Sequence, residues 1–179
     1  LRTFELPLAS RGARGKPIVN ILPLAEGERI TSILQVKEYK EDEYVFMATA
    51  GGTVKKTSLE QFSRPRANGI IALRLDEGDE LIGTLVTNGE DELMLFSDAG
   101  KVIRFHESNV REMGRTARGV RGIRVTEEQR VIALVRADND SQILTVTENG
   151  YGKRTNMTEH PVRGRGGQGV ISITLSERN

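Results

Sequence analysis

The sequence has no cysteine and no tryptophan, two histidines, and an aromatic content of only 4 %. The missing cysteines exclude disulfides, thiolate metal sites and cysteine nucleophiles together, and they fit a reducing cytoplasm. His106 and His160 stand at unrelated places without metal-ligand spacing, so each is expected to be a partly exposed polar residue. No apolar run approaches membrane-spanning length, and no signal peptide opens the chain. Neither sign of charge is in excess: 26 basic residues face 25 acidic ones, a net charge of +1. Taken globally, that balance argues against a nucleic acid as partner. Its distribution along the chain argues the other way.

The 179 residues suffice for one full-sized domain with a core. The chain opens on Leu1 rather than methionine and is expected to be a piece of a longer protein.

Glycine is plentiful, at 19 residues. The stretch "VRGRGGQGVISITL" holds a literal G-x-G-x-x-G at Gly164, Gly166 and Gly169. In a dinucleotide site that spacing follows a strand and opens a helix whose N-terminus meets the pyrophosphate. Here it runs into residues 171–175, which alternate with period two and read as a strand. A nucleotide pocket is therefore excluded.

Internal repeats give the loop a different meaning. "MATAGGTVKKT" from Met47, "LFSDAGKVIRF" from Leu95 and "TVTENGYGKRT" from Thr145 align without gaps. Each reads as a β-hairpin turning at Gly52, Gly100 or Gly150, because glycine supplies the positive φ of a tight turn. A second motif recurs as "SRGARGKPIVNI", "RPRANGIIALRL", "GRTARGVRGIRV" and "GRGGQGVISITL": a basic loop, a glycine (Gly15, Gly69, Gly119, Gly169), then a strand. Val19, Leu73, Ile123 and Ile173, and two positions later Ile21, Leu75, Val125 and Leu175, give that strand one buried face. Acidic turns follow, with Glu26 and Glu28, then Asp76, Glu77, Asp79 and Glu80, then Glu127 and Glu128. They fit no calcium-loop spacing and read as solvated turns.

The result is an all-β array with a period of about fifty residues and roughly four strands per unit, the size of a propeller blade. The expected units are 1–40 (partial), 41–90, 91–138 and 139–179 (partial) of one domain. Stacking them would gather Arg11 and Arg14, Arg64 and Arg66, Arg115 and Arg118, and Arg163 and Arg165 in one strip, the acidic turns collecting elsewhere. Lys16 and the hairpin cations Lys55, Lys56, Arg104, Lys153 and Arg154 complete the candidate binding set. Arginine forks and glycine backbone suit phosphate, and several such loops at regular spacing suit duplex DNA. The basic loops hold no aromatic residue, which disfavours single strands and leaves contacts to the backbone rather than to bases. About two phosphates per loop would give a log–log salt slope of about −5 to −7. A protein-binding propeller scaffold is the alternative from another class; it would display apolar anchors rather than arginine.

"ASRGARGKPIVNILPL", "FMATAGGTVKKT", "GEDELMLFSDAGKVIRF", "GVRGIRV" and "NGYGKRT" together resemble the C-terminal, DNA-wrapping domain family of DNA gyrase A proteins along nearly the whole chain. The topoisomerase IV C-terminal domain, with more divergent loops, is the alternative relative. The resemblance implies a six-bladed β-pinwheel with strands exchanged between blades and duplex DNA bent around a basic outer rim. It further implies a bacterial, cytoplasmic, ATP-dependent type II topoisomerase, an A2B2 assembly in which this segment works with the gyrase B protein and the rest of gyrase A. ATP and magnesium would be used elsewhere in that assembly, so this segment is expected to hold no cofactor, metal or catalytic residue. Tyr39, Tyr44 and Tyr151 are accordingly given no catalytic part. The family's box Q-R-R-G-G-K-G has only degenerate counterparts here, at residues 163–169 and 9–15.

Overall fold

The computed structural model describes residues 1–176, so the end of the last expected unit at Asn179 lies outside the described residues. Ten strands follow one another in the chain: β1 (Tyr44–Thr49), β2 (Thr53–Ser58), β3 (Leu81–Thr87), β4 (Glu92–Ser97), β5 (Lys101–His106), β6 (Val120–Arg121), β7 (Val131–Arg136), β8 (Gln142–Val146), β9 (Gly152–Asn156) and β10 (Val170–Ile171). Short 3-10 turns are the only helical elements among the described residues. The all-β reading holds, and so do the three hairpins: β1–β2, β4–β5 and β8–β9 pair antiparallel, with Gly52, Gly100 and Gly150 at φ of 83°, 71° and 83°.

The strands form two four-stranded sheets, β3-β1-β2-β6 and β10-β5-β4-β7, and the two-stranded β8-β9. Each larger sheet borrows its last strand from the following unit. β6 comes after the β4–β5 hairpin yet pairs back on β2, and β10 comes after β8–β9 yet pairs back on β5. The exchange implied by the resemblance is thus present.

The borrowed strands are much shorter than the period-two pattern suggests. Only Val120–Arg121 and Val170–Ile171 pair, after which the chain bends. The Gly122 and Ile123 amides both donate to the Gly52 carbonyl, at 2.8 and 3.3 Å; those of Ser172 and Ile173 donate to Gly100 in the same way, at 2.8 and 3.2 Å. Wrapping the hairpin tip replaces the ladder. Ile123 is buried as expected, but Val19 is 61 % exposed and residues Ile18–Asn20 form a 3-10 turn.

Sheets stack face to face, which buries β1, β2, β4 and β5 on both faces. Phe46, Leu93, Leu95, Phe105 and Ile123 fill the space between the first two sheets, with the Phe46 and Phe105 rings 6.3 Å apart. Met94, Phe96, Val102 and Met157 lie towards β8–β9. Leu34 and Val36 cover Val45 and Met47 on the outer side of the first sheet. β8 alternates between exposed and half-buried residues because only one of its faces is covered.

Candidate nucleic-acid interface

Each hairpin's second strand ends in a 3-10 turn (Leu59–Phe62, Glu107–Asn109, Met157–Glu159), and the basic loop follows. Because each borrowed strand must reach back to the preceding sheet, the loops at 114–119 and 164–169 cross from one unit to the one before it. Consecutive loops therefore touch. Arg115 donates from Nη1 to the Ile71 carbonyl at 3.0 Å, and its amide donates to Gln61 Oε1 at 3.3 Å. Arg165 donates from Nη1 to the Arg121 carbonyl at 2.9 Å and from Nε to the Asn109 carbonyl at 2.8 Å. Backbone bonds complete the second junction, from Gly166 N to Gly122 O (2.5 Å) and from Arg124 N to Gly167 O (2.8 Å). The glycines of the G-x-G-x-x-G stretch thus join one loop to the next.

The candidate cations divide into groups. Arg11, Arg14, Lys16, Arg64, Arg66, Arg154 and Arg163 are exposed, and none of their side chains has a protein hydrogen bond or ion pair among the described residues. Lys153 is exposed, with a long 3.4 Å bond to the Ser172 carbonyl. Arg118 is exposed but pairs with Asp76 Oδ2 at 2.5 Å. Arg115 and Arg165 are half-buried and directed at backbone carbonyls.

Three expectations need correcting. Lys55 is fully buried, its ammonium donating to the carbonyls of Ala72 (2.7 Å) and Arg115. Lys56 is 7 % exposed, 3.8 Å from the buried Glu107 carboxylate and 4.9 Å from the Tyr44 ring. Arg104, 5 % exposed, is held by Glu92, by Asn139 Oδ1 at 2.5 Å and by the carbonyls of Met157 (2.8 Å) and His160 (3.3 Å). None of the three can face a ligand. The cause is largely one repeat away: the following unit lies over the hairpin strand, and the oxygens of Arg115, Glu107, Asn139, Met157 and His160 join those of Ala72 and Glu92 from the cation's own unit. Desolvation, helped by the Arg115 charge, lowers Lys55 to about 8. Burial also pushes the imidazole of His160 below its ordinary range; the residue is 4 % exposed, not the partly exposed polar group expected.

The two signs of charge are less separate than the sequence suggests. The Arg118–Asp76 pair joins a basic loop to an acidic turn, and Arg130 lies 3.5 Å from Glu80. Some acids are structural: Asp79 Oδ1 accepts the Gly51 amide at 2.8 Å, and Asp98 Oδ1 accepts the Arg130 amide at 3.0 Å. Gln61 and Asn109, which anchor the loops, escaped the sequence reading because each partner lies about fifty residues on. Arg121 was missed as well; it is exposed on β6, and its carbonyl anchors the next loop.

Four-stranded antiparallel blades with exchanged strands, edged by linked arginine–glycine loops, define a class: a propeller-like repeat scaffold with a basic rim suited to a long polyanion. Within that class the chain belongs to the family of the DNA gyrase C-terminal domain, beta-propeller, which it matches over residues 2–37, 43–88, 91–138 and 141–178. It is 60 % identical over all 179 residues to the DNA gyrase A protein of Salmonella typhimurium (strain LT2), of which it spans 20 %. The solved C-terminal domain of DNA topoisomerase IV superposes with a TM-score of 0.88 at 28 % identity, covering 94 % of this chain and 53 % of that one. The solved C-terminal domain of DNA gyrase A superposes with a TM-score of 0.81 at 24 % identity, covering 93 % and 56 %; that likeness is one of fold.

Proposed function

We propose that this segment holds duplex DNA against its rim of arginine–glycine loops and bends it, without reading sequence, as the wrapping part of a DNA gyrase A protein. One observation carries the reading: loops 64–69, 114–119 and 164–169 are joined in register, leaving Arg64, Arg66 and Arg163 free to meet phosphates. Its units are residues 1–40, 41–90, 91–138 and 139–179 of one rim. Backbone-directed cations without aromatic neighbours fit contacts that position DNA but do not select bases. In the whole enzyme, the gyrase B protein and the rest of gyrase A would supply ATP hydrolysis, magnesium and strand passage in an A2B2 assembly in the bacterial cytoplasm. This segment would supply the bend that fixes the sign of supercoiling, with no cofactor of its own.

Duplex binding measured across a salt series tests the reading. Of the fourteen sequence candidates, burial removes three, and two more point at backbone; the expected slope is nonetheless steep and negative, about −4 to −6. Arg163→Ala should weaken binding to all sequences alike and reduce the slope by about one. Absence of duplex binding at low salt would defeat the proposal.

A further inference from the structure

We infer that Arg115 and Arg165 are positioning residues, straps that set the spacing between successive loops and so the curvature imposed on DNA; this rests on the wrapping function proposed for the rim. Both lie four residues before the loop glycine, Gly119 or Gly169. Both reach the carbonyl two residues past the preceding loop's glycine, Ile71 after Gly69 and Arg121 after Gly119. The same bond is thus made twice, one repeat apart. In the first junction Lys55 adds a second tie, bridging the carbonyls of Ala72 and Arg115. In the second, the equivalent residue is Ile103, which has no donor, and the backbone pairs of Gly166 with Gly122 and of Arg124 with Gly167 replace it. The position four residues before Gly69 is Pro65, which cannot make such a strap.

A planar guanidinium carries donors in a fixed fork, and Arg165 uses Nε and Nη1 for carbonyls of two different segments. Lysine keeps the charge and loses the fork. Charge and spacing can therefore be separated, which a merely electrostatic role would not allow.

The experiment compares Arg165→Lys and Arg29→Lys, the latter at an exposed arginine outside the basic loops and the candidate set, with the unaltered chain. End-to-end energy transfer on a dye-labelled duplex long enough to bend reports curvature, the salt slope reports phosphate contacts, and hydrogen exchange at the Gly166 amide reports the junction without DNA. Arg165→Lys should straighten the bound duplex, leave the salt slope unchanged, and speed Gly166 exchange by about fivefold. Arg29→Lys should change none of the three. If Arg165→Lys leaves both curvature and Gly166 exchange as they were, the strap is overturned. If the unaltered chain binds no duplex at low salt, the wrapping function fails and the curvature claim with it; faster exchange at Gly166 would then uphold the loop-to-loop tie alone, and unchanged exchange would overturn that too.

Discussion

At the scale of the residue, Lys55, Lys56 and Arg104 show what a local reading of charge misses. A lysine pair at a strand end looks solvent-facing, and in the exposed third hairpin Lys153 and Arg154 are just that. In the first two hairpins the same positions lie under the next unit, whose Arg115, Glu107, Met157 and His160 supply oxygens to them. Those oxygens belong to residues far along the chain, so no window around the cation reveals them. Lys55 has a measurable consequence. Folded, it titrates at about 8. Unfolded, it keeps its proton to about 10.4. Below both values the two states are charged alike and the penalty for burying the ammonium is present in full. Between them the unfolded chain binds more protons, so stability rises with pH. The unfolding free energy of the unaltered chain should therefore gain on that of Lys55→Met between pH 7 and pH 9.5, as read by urea melts at each pH; a constant difference would count against it.

At the scale of the element, hairpin turns were legible and borrowed strands were only half so. Alternating apolar residues around Gly52, Gly100 and Gly150 carry their own turn signal, because the pairing partner is next in sequence. The segments after Gly119 and Gly169 alternate too, yet only two residues of each enter a ladder before bending around a hairpin tip. That bend depends on a glycine in another unit, which periodicity cannot report. A Cβ at Gly52 would lie 2.5 Å from the Ile123 carbonyl oxygen, whereas a Cβ at Gly150 would meet nothing within 4 Å among the described residues, although both have a φ of 83°. Gly150→Ala should destabilise by about 1–2 kcal/mol through the backbone alone. Gly52→Ala should cost about 1–3 kcal/mol more, because the borrowed segment must be displaced. Denaturant unfolding of the two variants gives the comparison, and equal losses would refute the close approach.

At the scale of the whole molecule, net charge is a poor guide because its components have different addresses. The basic loops could be found from their repetition in the sequence, and the exposure of Arg64, Arg66 and Arg163 agrees with that reading. Which arginines are free could not be found, since Arg118, Arg115 and Arg165 look equivalent to them in sequence and differ only in their partners. The Arg118–Asp76 pair competes with any phosphate for the same guanidinium, though exposed pairs of this kind are worth little, about 0–1 kcal/mol. Asp76→Asn should release Arg118, tighten duplex binding a fewfold at low salt and steepen the salt slope by up to about one. Parallel titrations at two salt concentrations measure this, and unchanged affinity would mean that Arg118 lies off the DNA path.

The borrowed strands also set an order of events at the ribosome. β2 emerges more than sixty residues before β6, and β5 more than sixty before β10. A nascent chain therefore always carries one blade whose last place is empty. At about 5–20 residues per second, that vacancy lasts several seconds before the next unit fills it. Synthesis thus closes the blades one behind the growing end, and a premature stop anywhere in the array leaves an open sheet edge of the kind that recruits foreign strands.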